Sequence, residues 1–160
     1  MTVAEVEVHV KPESFTTAHS SVGNATGIIY FSSGDFSFPE DVWDDLPVAI
    51  VGWWLDALAD YEYKAKDNVV LNFMDGSFLV RLSRRSDSTT QIEMIQGTSN
   101  GDEVRFSATA HLLTLYRSVD RAADTLIEFC EKQPTQVPDY PELVEAKRRA
   151  SDAFRNQLEQ

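Results

Sequence analysis

Cysteine is almost missing from this chain of 160 residues: Cys130 stands alone, so no disulfide can form within the chain and a reducing cytosolic setting is the simpler expectation. Long apolar runs are missing as well. The longest, Leu46 to Leu55, covers about ten residues between Asp44, Asp45 and Asp56, roughly half of what a bilayer span requires. The opening MTVAEVEVHVKPES has neither the basic leader nor the apolar stretch of a signal peptide, so cytoplasmic placement is expected. Catalytic signatures are lacking too. HExxH, CxxC, GxSxG, the P-loop and the dinucleotide glycine pattern are all absent. His9, His19 and His111 fall on a strand, a loop and a helix start with no second ligand at metal spacing, so no catalytic residue, cofactor or metal is assigned.

Basic residues are scarce in one region above all. Residues 1–62 hold eleven acids and a single base, Lys11, for a net charge of −10, whereas residues 63–160 hold fifteen acids and thirteen bases, for −2. A chain of net −12 repels phosphate, so nucleic acid is not expected as a direct ligand. Asp35, Glu40, Asp41, Asp44 and Asp45 fall within eleven residues. Such a cluster serves solubility and the start of a helix, or it provides a field that steers a basic partner.

The patterning predicts an α+β fold of one domain over residues 1–160: an antiparallel sheet of about five to seven strands with three helices packed on it. Its first part, residues 1–38, is read as strands. Val6, Val8 and Val10 alternate with Glu5, Glu7 and His9 until Pro12 ends the strand, Thr26–Ser32 pairs with it, and Asp35–Phe38 adds a short third. A helix over residues 45–62 opens at Asp44 or Asp45 as N-cap, with Pro47 in its first turn. A meander over residues 68–106 follows, its strands at Asn68–Met74, Ser77–Arg84, Thr89–Gln96 and Glu103–Phe106. Asp75-Gly76 suits a type I′ turn, and Asn100-Gly101 marks another. Arg81, Glu93 and Arg105 are possible cross-strand partners on its wet face, which is either plain solvated pairing or a binding surface. Ser107 or Thr109 can cap a helix over residues 108–132, whose buried stripe includes Cys130 as a small core residue. Pro134 and Pro138 punctuate the link to a last helix over residues 140–159. Its Lys147-Arg148-Arg149 run is read as surface charge beside Glu142 and Glu145.

The stretch AIVGWWLDAL, Ala49 to Leu58, contains two adjacent tryptophans. Helix neighbours stand about 100° apart, so one stripe cannot hold both rings equally. Trp54 falls on the apolar face with Val48, Ile50, Val51, Leu55, Leu58 and Tyr61. Trp53 points toward Ala49, Asp56, Ala57 and Asp60. Either a neighbouring helix such as 108–132 covers Trp53, or it is an exposed anchor. Trp43 is either a second anchor or a staple holding the helix entry to the core.

The order of an N-terminal hairpin, an acidic Trp-containing lead-in (FPEDVWDDLPV), a Trp-Trp helix (VGWWLDAL) and a strand ending in Met-Asp-Gly (VVLNFMDGSFLVRL) resembles a group of small uncharacterised bacterial α+β proteins. These are similar to the immunity partners encoded beside polymorphic toxins of contact-dependent and secretion-system competition. The resemblance spans residues 28–132 and rests on Trp43, Trp53, Trp54 and Met74-Asp75-Gly76. It implies a non-enzymatic protein that binds one cognate toxin domain, basic at its contact face. Asp35, Glu40, Asp41, Asp44 and Asp45 form the candidate surface, with Trp43 and Trp53 as anchors and Asp56 and Asp60 beside the latter. A regulatory or structural α+β domain, alone or as a self-associating subunit and acidic only for solubility, is the alternative, and a small-ligand or enzymatic role on the wet sheet face a remote third.

Overall fold

In the computed structural model, which describes residues 3–159, the α+β expectation holds with a different partition of strands. They form two antiparallel four-stranded sheets instead of one larger sheet. The first contains β1 (Glu7–Thr16), β2 (Thr26–Ser33), β3 (Phe36–Phe38) and β4 (Asp44–Asp45). β2 is its centre: β1 lies along one edge, while β3 and β4 share the other, at Phe31–Ser33 and Gly27–Ile28 respectively.

Pro12 does not end β1. The strand continues to Thr16 through an irregularity between Lys11 and Thr16, where the missing proline N–H can be tolerated. The Ser14 hydroxyl bridges the gap, donating to the Lys11 carbonyl (2.6 Å) and accepting from the Ile28 N–H (2.8 Å). Phe15 then lies so close to Gly27 that a Cβ there would sit 2.5 Å from its ring.

The second sheet is the expected meander, in the order β5 (Asn68–Asn72), β6 (Phe78–Arg84), β7 (Thr90–Thr98) and β8 (Gly101–Ala110). The Asp75-Gly76 turn differs from expectation. A type I′ turn needs two positive φ values, yet only Gly76 has one (73°). The connection is instead a longer loop closed by the Phe73 N–H on the Phe78 carbonyl at 3.2 Å. The Phe78 ring, two residues on, and the Trp43 ring, distant in sequence, both lie against Gly76, so this loop is shaped by a local and a tertiary contact together.

Helix α1 (Pro47–Tyr63) rests on β5 and β2, α2 (Leu112–Glu131) lies along β1, and α3 (Tyr140–Ala153), followed by the short α4 (Arg155–Leu158), covers α1. The expected start of α2 at residue 108 is corrected, because Ser107–Ala110 remain in the ladder with Thr90–Glu93. His111 is therefore its N-cap, with no side-chain cap bond. Ser118 of α2 closes the free edge of β1 by accepting from the Val8 N–H at 2.7 Å. The two sheets meet where the Ala4 N–H donates to the Thr109 carbonyl (2.8 Å) and where Phe36 stacks on Phe106 (5.1 Å between centroids).

The basic run of α3 is more than surface charge. Lys147 bridges to Asp120 and Asp124 of α2, each at 3.2 Å, and Arg149 reaches Asp56 (2.5 Å) and Asp60 (3.3 Å) of α1. Only Arg148 pairs within its own helix, with Glu145 and Asp152. Cys130 is buried, and desolvation, helped by the Glu131 carboxylate, pushes its thiol up to about 11. Alkylation at pH 8 is accordingly expected to run more than about a hundredfold slower in native buffer than in denaturant. Equal rates by mass spectrometry would contradict this environment.

Candidate partner-binding surface

The strand pairing of β4 sorts the acidic lead-in. Successive strand residues point to opposite sides, so Asp44 faces solvent and Asp45 faces inward, where it is only 5% exposed. The Asp45 carboxylate accepts from the Trp43 indole N–H (3.0 Å), the Leu46 N–H (2.7 Å) and the Asp75 N–H (3.2 Å). It thereby ties the lead-in to the start of α1 and to the β5–β6 loop. Neither Asp44 nor Asp45 is the N-cap of α1; that position is Leu46, without a side-chain cap bond. Trp43 is half-buried, edge-on to Phe78 at 5.0 Å. Asp45 is thus a buried structural group and not part of the exposed acidic surface, while Trp43 keeps part of its ring exposed beside it.

Asp35, Glu40, Asp41 and Asp44 remain outward, and none of them joins an ion pair among the described residues. Two exposed apolar side chains lie beside Asp44: Val42 (55% exposed), two residues before it in the lead-in, and Met74 (47%), which the resemblance singled out without giving it a place on this surface. Met74 and Asp75 share a shallow hollow of about 260 Å³ with Thr26 and Asp44. Met74-Asp75-Gly76 had the sequence signal of a turn; that its methionine faces the acidic lead-in follows from the Asp45–Asp75 bond.

The two tryptophans separate as the helical angles predict. Trp54 is fully buried, its indole N–H donating to the Asn72 carbonyl at 2.7 Å and its rings packed on Phe31 (4.8 Å) and Phe73 (5.2 Å). Trp53 is 44% exposed, so no helix of the chain covers it fully. The helix nearest its acidic flank is α3, not α2, and Arg149 holds both Asp56 and Asp60 while Lys64 also reaches Asp60 at 3.4 Å. These two carboxylates are therefore internally compensated, unlike the lead-in acids.

On the wet face of the second sheet, Arg81 lies 3.8 Å from Glu93, and Arg105 donates to Gln96 instead of reaching a carboxylate. Solvated pairs of this kind contribute little. Among the described residues, no group of three or more His, Cys, Asp or Glu converges as a metal site, and no helix is long and apolar enough to cross a membrane. The lead-in surface can accept hydrogen bonds from guanidinium and ammonium groups and bury aliphatic contacts; the groups that compose it supply no activated nucleophile.

Fold and surface together define an α+β protein with an acidic, partly apolar face. The chain matches no family model, no curated protein and no solved structure.

Proposed function

We propose that the protein is a non-enzymatic immunity protein of the cytoplasm that binds and neutralises a cognate bacterial toxin domain. The observation that carries this reading is the run of exposed acids Glu40, Asp41 and Asp44, which join no ion pair among the described residues, with Val42 exposed within the run and Met74 sharing a hollow with Asp44; Asp35, also exposed and unpaired, lies at the other end of β2. Some acids elsewhere are paired, the exposed Glu145 and Asp152 and the half-buried Asp56 and Asp60, whereas Asp67, Asp102, Glu103 and Glu142 are exposed and likewise join no ion pair among the described residues. The lead-in differs in lying within a stretch without any lysine or arginine, from Pro12 to Tyr63. Unpaired charge of one sign raises the rate of encounter with a basic face, and the apolar side chains among it slow dissociation. Trp53 supplies a further anchor on α1, because an exposed indole loses much apolar area to a partner at small conformational cost. The sequence resemblance supports the toxin class of partner.

Co-expression with the toxin domain encoded beside this chain tests the reading. Rescue of growth and a complex that survives size exclusion are expected; a lethal toxin and no complex reject it. Asp41→Lys with Asp44→Lys is expected to slow association about tenfold at low salt and to flatten its salt dependence. Stopped-flow rates across a salt series measure both. Asp45 is left unchanged in that variant, since reversing its buried charge would break the fold and not the encounter. An unaltered salt slope removes the steering role of this face.

A further inference from the structure

The two methionines among the described residues stand in opposite surroundings. Met94, in β7, is fully buried, whereas Met74, in the loop between β5 and β6, is 47% exposed. The loop is held on both sides of Met74. The Phe73 N–H donates to the Phe78 carbonyl at 3.2 Å, and the Asp75 N–H donates to the Asp45 carboxylate at 3.2 Å. Met74 is thereby kept at the hollow it shares with Thr26, Asp44, Leu46 and Asp75.

That hollow is poor in donors. The carboxylates of Asp44 and Asp75 only accept, and the N–H groups of Leu46 and Asp75 are both taken by Asp45. The Thr26 hydroxyl is the remaining side-chain donor. A thioether suits such a place, because it offers polarizable apolar contact and asks for no hydrogen bond.

We propose that Met74 is an oxidation site at the partner-binding face, where a hydroperoxide converts the thioether to the sulfoxide and so weakens the complex. The consequence for binding rests on the toxin-binding reading, and the site itself does not. A sulfur lone pair attacks one oxygen of hydrogen peroxide, the O–O bond breaks, and the proton on the attacked oxygen passes to the departing hydroxide. Sulfoxide and water result, sulfur having given up the two electrons that the peroxide takes. Exposure selects Met74 over Met94. Cys130 does not compete, since it is buried and its thiol is pushed up to about 11. The new sulfoxide oxygen is a strong acceptor beside two carboxylates. A partner closing over the hollow must desolvate it with little to donate in return from this chain.

Hydrogen peroxide applied to the whole protein, followed by peptide mass spectrometry, reads the site. Met74 is expected to oxidise at least about tenfold faster than Met94 in native buffer, and the two at similar rates in denaturant. The complex with the toxin domain reads the consequence. Oxidised protein is expected to dissociate about tenfold faster than untreated protein, and methionine sulfoxide reductases for both epimers, with a thiol reductant, should restore the original rate. Met74→Leu keeps an aliphatic side chain of similar volume without sulfur, so peroxide should leave its dissociation rate wherever the substitution sets it. Amide spectra should show the oxidised protein folded, with shifts confined to the surroundings of the loop. Equal oxidation of Met74 and Met94, a complex indifferent to peroxide, a Met74→Leu complex still weakened by it, or loss of the fold on oxidation overturns the proposal. Untreated protein that binds no toxin domain rejects the functional reading instead, and the binding consequence falls with it.

Discussion

Trp54→Ala is expected to lower folding stability by about 3–5 kcal/mol, whereas Trp53→Ala, one residue away on the same helix, should lower it by about 1 kcal/mol or less. The asymmetry follows from what each ring touches. Removing the Trp54 indole empties the space between Phe31 and Phe73 and leaves the Asn72 carbonyl without its donor. Cavity and unmet acceptor add, since the fully buried site has no solvent to replace either. Trp53 already shows 44% of its surface to water, so truncation there forfeits only partial packing. Its cost should fall on partner binding instead, at about 2 kcal/mol or roughly thirtyfold in Kd if it is the anchor proposed above. Urea denaturation of both variants, with partner affinity measured on the one that stays folded, separates the two roles. A large loss of stability in Trp53→Ala would place that ring in the core.

Asp45→Ala is expected to cost about 3 kcal/mol, against about 0.5 kcal/mol or less for Asp44→Ala. The two carboxylates are adjacent in sequence and of identical chemistry. Asp45 receives three N–H groups from three separate places, the lead-in, the first residue before α1 and the β5–β6 loop, and its removal strands donors in a poorly solvated corner. Asp44 belongs to no ion pair among the described residues and faces water. The same denaturation experiment decides the matter, and Asp45→Ala should also disperse the amide signals of Met74 and Asp75 away from their native positions. Comparable stability of the two variants would remove Asp45 from its organising role. Partner binding should show the reverse order, with Asp44 the more sensitive on-rate position.

The elements were largely legible because local periodicity determines them. Valine alternation in β1, the Asn68–Thr98 meander and the apolar stripe of α2 each bury one side of a regular element, and period alone reveals that side. Boundaries were less legible. Pro12 is a strand breaker by its own chemistry, yet Ser14 supplies the missing hydrogen bonds from two residues away. Ser107 and Thr109 look like helix caps, yet pairing with β7 keeps them extended. In both places a tertiary partner outweighed a local preference.

The candidate surface shows the same division more sharply. The sequence by itself determined that acids crowd the first third of the chain and that Trp53 and Trp54 must point apart, since charge is additive and helical angles are intrinsic to the backbone. Only the tertiary structure decided which acids are free. β4 pairing turned Asp45 inward, Arg149 arrived from α3 to occupy Asp56 and Asp60, and the Asp45–Asp75 bond carried Met74 to the lead-in. Each of these outcomes depends on groups far apart in the chain, and the energy of a carboxylate depends on what surrounds it in space, which no local pattern encodes.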